Sequence, residues 1–391
     1  MIENSLLRDP APGSEIKKRQ NTGDASCQRR FATISSIETT IRRNEMKLSN
    51  LVSGAFALTM TAIAFSGAAS AQDDIKRMNL RWAHFAPPTW GSAQAEQLFA
   101  KEIEKRTNGK VKIQFFWSGA LGGPSELMDL VASGAVDFAS FPPTYYPAQW
   151  PMMGLINSLP MTWQDPKLAM DIQEYQIANN KAIQDELAKN KLKVVLIHGL
   201  PPYRLQCTTP VKTMEDLKGK RIRTFGDWPP YVMQKIGAVP VNVPLGEIYE
   251  GLQRGSLDCG YNPNENSGFL KLYEVAKNWS DINFGAIAAY SSFANAEKFA
   301  AYPESLKKIF KDAYDVAVAW EKENFDVAEK KHLADAEKAG AKVVHFEEQD
   351  KLNATFPDML KTWEETMCSK NLCEQAKSVV ADTRKVMEAA K

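Results

Sequence analysis

The sequence is poor in what most enzymes need. Its 391 residues include four histidines, and no Gly-x-Ser-x-Gly turn occurs. The glycine-rich stretch GALGGPS (119–125) has neither the Walker pattern nor the dinucleotide-binding spacing, and no Cys or His spacing resembles a zinc site. These absences argue against catalytic residues, a metal and a cofactor. Charge of one sign is also missing. The formal net charge is +1, from 48 basic and 47 acidic residues, so no nucleic-acid partner is expected. With 44% hydrophobic and 24% charged residues the chain has a globular composition, and its length suggests two domains.

Long apolar runs are scarce, and the one at residues 51–66 carries information. Lys47 precedes it, and Ala69-Ser70-Ala71 follows it as an A-x-A site before Gln72. Residues 46–71 therefore read as a secretory signal peptide cleaved after Ala71, too short and wrongly flanked for a stable membrane span. Residues 1–45 are polar and patternless, and read as a disordered or non-native extension ahead of a start at Met46. Export permits disulfides. Beyond residue 71 stand Cys207, Cys259, Cys368 and Cys373. A local bridge 368–373 and a bridge between two strand ends, 207–259, are both open, as are four buried thiols.

The periodicity predicts an α/β fold. MNLRWAHFA (78–86), KVKIQFFW (110–117) and VDFAS (136–140) read as strands separated by helices, a βαβαβ series implying a mainly parallel sheet. A second series follows: one helix over 166–190, strands at 192–200, 203–209, 220–225, 239–244 and 257–263, and short helices between. EGLQRGSLDCGYNP (250–263) echoes DLVASGAVDFASFPP (129–143), each a helix, a glycine, an Asp-started strand and proline, so two similar halves are expected. Residues 303–340 have no internal Pro or Gly until Gly340 and predict a helix of about 55 Å.

DLKGKRIRTFG (216–226) followed by IGAVPVNVPLGEIYEGLQRGSLDCGYNP (236–263) resembles the periplasmic solute-binding proteins of TRAP transporters, the DctP-like family. SGALGGPSELMDLVASGAVDFAS (118–140) resembles that family's first-domain motif. The resemblance runs from about Leu80 to the C-terminus. It implies a two-domain periplasmic binding protein fold with a long C-terminal helix spanning both domains. Domain I would comprise 78–201 plus 288–327, and domain II 202–287 plus 328–391. It further implies a monomer in the periplasm that binds a small organic acid and delivers it to a sodium-driven TRAP membrane permease. A protein reporting to a membrane sensor, or one specific for a sulfonate or another non-carboxylate solute, is the alternative.

The resemblance places Arg223, in GKRIRTF, where the family's arginine clamps a carboxylate. It places Arg204, in PYRLQCTT, where a second arginine reaches the ligand, and Asn262, in CGYNP, at a cleft asparagine. Arg-Val-Pro of the family is Arg223-Thr224-Phe225 here, and Gly260-Tyr261 replaces the usual Gln-Glu. These departures imply a different pocket. A guanidinium suits the task because it is planar, always charged and grips a carboxylate with two parallel hydrogen bonds. Arg221 shares its strand face but is read as a surface residue. Aromatic walls are expected from Phe85, Trp90, Trp117, Tyr145 or Tyr146, and Trp228, with Leu245 on the floor. His84 is a candidate donor. Glu247 is read as a residue favouring its helix dipole. The expected ligand is a small monocarboxylate, with aromatic or hydroxylated acids ahead of C4 dicarboxylates.

Overall fold

A computed structural model describes residues 74–391. The extension, the signal sequence and the cleavage point after Ala71 lie outside the described residues. Eleven strands are present among them: β1 (Met78–His84), β2 (Val111–Phe116), β3 (Phe138–Phe141), β4 (Leu192–Leu200), β5 (Arg204–Cys207), β6 (Arg221–Thr224), β7 (Val239–Asn242), β8 (Cys259–Asn262), β9 (Asn278–Ser280), β10 (Ile287–Asn295) and β11 (Lys342–Val344). They form two sheets, ordered β2-β1-β3-β10-β4 and β7-β6-β8-β5-β9-β11.

The two sheets are built alike. In each a central strand, β1 or β6, pairs in parallel with two neighbours, β2 and β3 or β7 and β8. In each the next strand, β10 or β5, runs antiparallel to both its neighbours, β3 and β4 or β8 and β9. The sheets are therefore mixed rather than mainly parallel. The added antiparallel strand in each comes from a crossover, since β4 hands the chain to β5 and β9 hands it back to β10. The Asp-started strands serve one local purpose. Asp137 accepts from the Arg81 amide at 2.8 Å, and Asp258 from the Arg221 amide at 2.8 Å. Each carboxylate thus holds a neighbouring strand at the sheet entrance, and each follows a glycine with positive φ, Gly134 or Gly255.

The first sheet is buried on both faces, which explains its apolar strands. Trp82 and Phe138 face the helix Gly91–Arg106 and pack with Phe99 and Phe310, whereas Phe141 packs with Phe293 on the other side. The long helix is present as Glu304–Lys338, 35 residues, about 52 Å at 1.5 Å per residue. Leu306, Ile309 and Phe310 pack with Phe99 and Ile103 over the first sheet, and Ala336 packs with Trp279 of the second. Midway, a Cβ on Gly199 would lie 2.7 Å from the Phe325 ring, so glycine is what lets this helix approach β4.

The expected single helix over 166–190 is two, Pro166–Asn179 and Lys181–Lys189. Asn180 between them is extended and its side chain accepts from the Ala182 and Ile183 amides, a cap that starts a new helix. Both disulfides form. Cys207 and Cys259 face each other across β5 and β8, and Cys368–Cys373 closes the turn between two C-terminal helices. No helix among the described residues is long and apolar enough to cross a membrane.

Candidate functional site

Strand ends from both sheets meet around one narrow pocket. Phe85 follows β1, Tyr145 follows β3 and Tyr290 comes from β10, with Trp90 just ahead of the helix Gly91–Arg106. The second sheet supplies Arg223 and Phe225 from β6 and its end, with Leu245 and Asn266 beyond, and Tyr203 lies in the crossover. The cavity is small, about 30 Å³.

Arg223 is the charged residue of this lining and is 2% exposed. Its Nε donates to the Val243 carbonyl at 3.2 Å and one Nη to the Tyr261 carbonyl at 3.3 Å, and the guanidinium carbon stands 4.6 Å over the Phe225 ring. The carbonyls and the ring fix its plane. No carboxylate among the described residues lies within ion-pairing distance of it. A buried charge is costly unless paired, and among the described residues this cation has hydrogen-bond acceptors and a ring but no counter-ion. The Tyr145 phenol is within hydrogen-bonding reach of the guanidinium; burial raises its pKa, so it stays protonated. Tyr203 lies close enough to feel both groups, and burial raises its pKa as well.

Under the aromatic wall lies a charged network. Glu96 contacts His84 at 3.0 Å and His198 at 3.3 Å, and His198 contacts Glu321 of the long helix at 2.8 Å. Ser140 and Ser292 donate to Glu96 at 2.6 and 2.7 Å. Burial opposes the charge on Glu96, but the two imidazoles hold it well below the usual carboxylate range. Burial likewise opposes charging His198, yet Glu321 and Glu96 raise its pKa to about 9. Phe85 stacks on His84 with centroids 5.1 Å apart, and Tyr290 on His198 at 4.3 Å. The network therefore seats the wall. Among the described residues no group of His, Cys, Asp and Glu side chains could hold a metal.

Of the residues expected at the site, Arg223, Phe85, Trp90, Tyr145 and Leu245 are brought together. His84 is not in the lining; it is fully buried one layer below, held by Glu96. Trp228 lines a separate cavity with Trp363 and Met367, because it opens the helix Trp228–Lys235 on its far side. Arg204 donates to the Asp281 carbonyl and does not line the pocket. Asn262 is fully buried beside it in register, outside the lining, with neither amide atom hydrogen-bonded. Trp117 stacks on Phe115, and Tyr146 turns away to donate to the Pro124 carbonyl. Tyr203, Phe225 and Tyr290 were missed. Phe225 could have been found, since Arg81-Trp-Ala-His-Phe85 on β1 and Arg221-Ile-Arg-Thr-Phe225 on β6 place a phenylalanine at the same step of both halves.

Two similar sheets whose strand ends enclose a narrow gap describe this fold, and the relatives give its family. Residues 82–370 match the family model described as bacterial extracellular solute-binding protein, family 7. The chain belongs to that family, whose members are solute receptors and not enzymes, and TRAP periplasmic solute-binding proteins share its fold. A solute-binding protein of Chromohalobacter salexigens is 28% identical over 60% of this chain and 68% of that one. Among solved structures, the pyroglutamic acid-binding receptor DctP7 of Bordetella pertussis has a TM-score of 0.70 at 18% identity, covering 78% of this chain and 99% of that one. A TRAP solute-binding protein of Rhodoferax ferrireducens, in complex with copurified benzoate, has a TM-score of 0.69 at 20% identity, covering 80% and 100%.

Proposed function

We propose that this protein captures a small organic anion in the periplasm and delivers it to a sodium-driven TRAP permease. The observation that carries the reading is Arg223, a buried cation with no ion-pair partner among the described residues, facing a pocket between the two sheets. Pyroglutamate and benzoate, named with two similar structures, are both carboxylates, which supports an acid as the solute. The two sheets support a division into residues 78–201 plus 288–327 and residues 202–287 plus 328–391, closing on the ligand from either side. Export with cleavage after Ala71 completes the reading; a mature N-terminus other than Gln72 would refute that cut.

The test is calorimetry with a panel of organic acids on the purified protein, solute having been removed by unfolding and refolding. Binding of an acid by the native protein and its loss in Arg223→Ala is the expected pair of results. Acid binding that survives in Arg223→Ala sinks the assignment.

A further inference from the structure

Resting on that anion-binding reading, we infer that the pocket selects a flat aromatic monocarboxylate over polyhydroxylated and dicarboxylic acids. The lining holds one charged side chain, Arg223, so one carboxylate can be neutralised and a second would be buried without a partner. The polar groups gather at that one end. Of the five guanidinium N–H groups two are used by main-chain carbonyls and Tyr145 is within reach of a third, which leaves two for a ligand. The Tyr145 hydroxyl is within hydrogen-bonding reach of the guanidinium, and Tyr203 shares the lining.

The opposite end is mostly apolar, with the Asn266 amide and the Tyr290 hydroxyl as its polar groups. Asn266 Oδ1 accepts from the Trp90 indole N–H. The Tyr290 hydroxyl lies 3.3 Å from His84 Nε2. Phe85, Trp90 and Tyr290 pack on one another with centroids 5.2 to 5.7 Å apart. Most sugar hydroxyls placed there would lose their water and find no partner beyond the Asn266 amide, and a site discriminates strongly when buried polar groups are left unpaired. A planar ring exchanges only apolar contacts. The narrowness of the gap points the same way, because a ring held edge-on parts the walls less than a puckered pyranose does.

Calorimetry on the refolded, solute-free protein with benzoate, glucuronate, succinate and pyruvate tests this. Benzoate is expected to bind at least about 100-fold more tightly than glucuronate or succinate, the scale on which unpaired polar groups discriminate, and more tightly than pyruvate. Tyr203→Phe, which removes one hydroxyl and leaves the ring, is expected to weaken benzoate about tenfold, the worth of one hydrogen bond to a charged group. Glucuronate, succinate or pyruvate binding as well as benzoate, with the binding still lost in Arg223→Ala, overturns the aromatic selectivity and leaves the anion reading standing. No binding of any of the four overturns the selectivity, and failure of the wider acid panel to bind overturns the anion reading.

Discussion

Arg221 and Arg223 share one face of the same four-residue strand, yet their surroundings make them different groups. Arg221, at the entrance, is partly exposed and gives both arms of its fork to Asp258, with Nε–Oδ2 at 3.0 Å and Nη2–Oδ1 at 2.8 Å. Arg223, one step inward, is buried, and its protein partners are carbonyls and phenols. The halves of the molecule repeat the contrast. At the step of β1 that corresponds to Arg223 stands Ala83, so one wall of the gap brings only rings while the other brings rings and a cation. The repeated scaffold leaves one of its charges without an ion-pair partner among the described residues.

That contrast can be broken most directly at the free arginine. Arg223→Ala should lower acid affinity at least about 100-fold, two charge-assisted hydrogen bonds being worth about 3 kcal/mol or more. Arg223→Lys, which keeps the charge and loses the fork, should fall between. Calorimetry reads both. Glu96 sharpens the comparison as a buried charge that does have partners. Glu96→Ala strands two imidazoles against the pocket wall and should cost about 3–5 kcal/mol of stability, visible in denaturant unfolding. Arg223→Ala should disturb unfolding far less.

Acidity separates the groups further. Burial, then the charge of Glu329 and Glu321, pushes Glu265 up to about 8, and burial pushes Glu329 and Glu186 up to about 7. These carboxyls bind protons more tightly folded than unfolded. Their protonation therefore stabilises the fold, an advantage fully present below about 4.5 and lost as pH rises through 7 to 8. His198, raised to about 9, adds stability below 6.5 that is lost toward pH 9. All have the same sign, so the melting temperature should rise from pH 9 to pH 6; a flat or falling profile would contradict these assignments. The smallest effect belongs to Arg221→Ala. Its pair with Asp258 is solvent-screened, so acid affinity should stay unchanged and thermal stability should drop only slightly. A large loss of affinity there would erase the distinction between the two arginines.

Much of this was legible in the chain. Alternation gave most of the strands around the site, and the two Asp-started strands with their preceding glycines announced the repeat. The missed elements were those whose pattern is made elsewhere. β10 is buried along its whole length, so it has no alternation to read, and Tyr290 went unseen with it. The break at Asn180 was hidden because Asn is an ordinary helix residue until its side chain is seen capping the next turn. Trp90 and Trp228 follow equivalent strands and look alike in sequence, but one turns into the gap and the other into a neighbouring cavity.

By itself the sequence determined the α/β series, the repeat, the long helix and the placing of Arg223 on a strand that ends near the ligand side of its sheet. Those follow from local periodicity and from turn chemistry, which act over a few residues. The family resemblance, not periodicity, singled out Arg223 over Arg221, and only the tertiary structure decided which partners each arginine has, which cysteines pair and which rings form the wall. Asp258 reaches Arg221 across 37 residues, Cys259 reaches Cys207 across 52, and Tyr290 reaches His84 across 206. Whether a charge is satisfied depends on what folding carries to it from such distances.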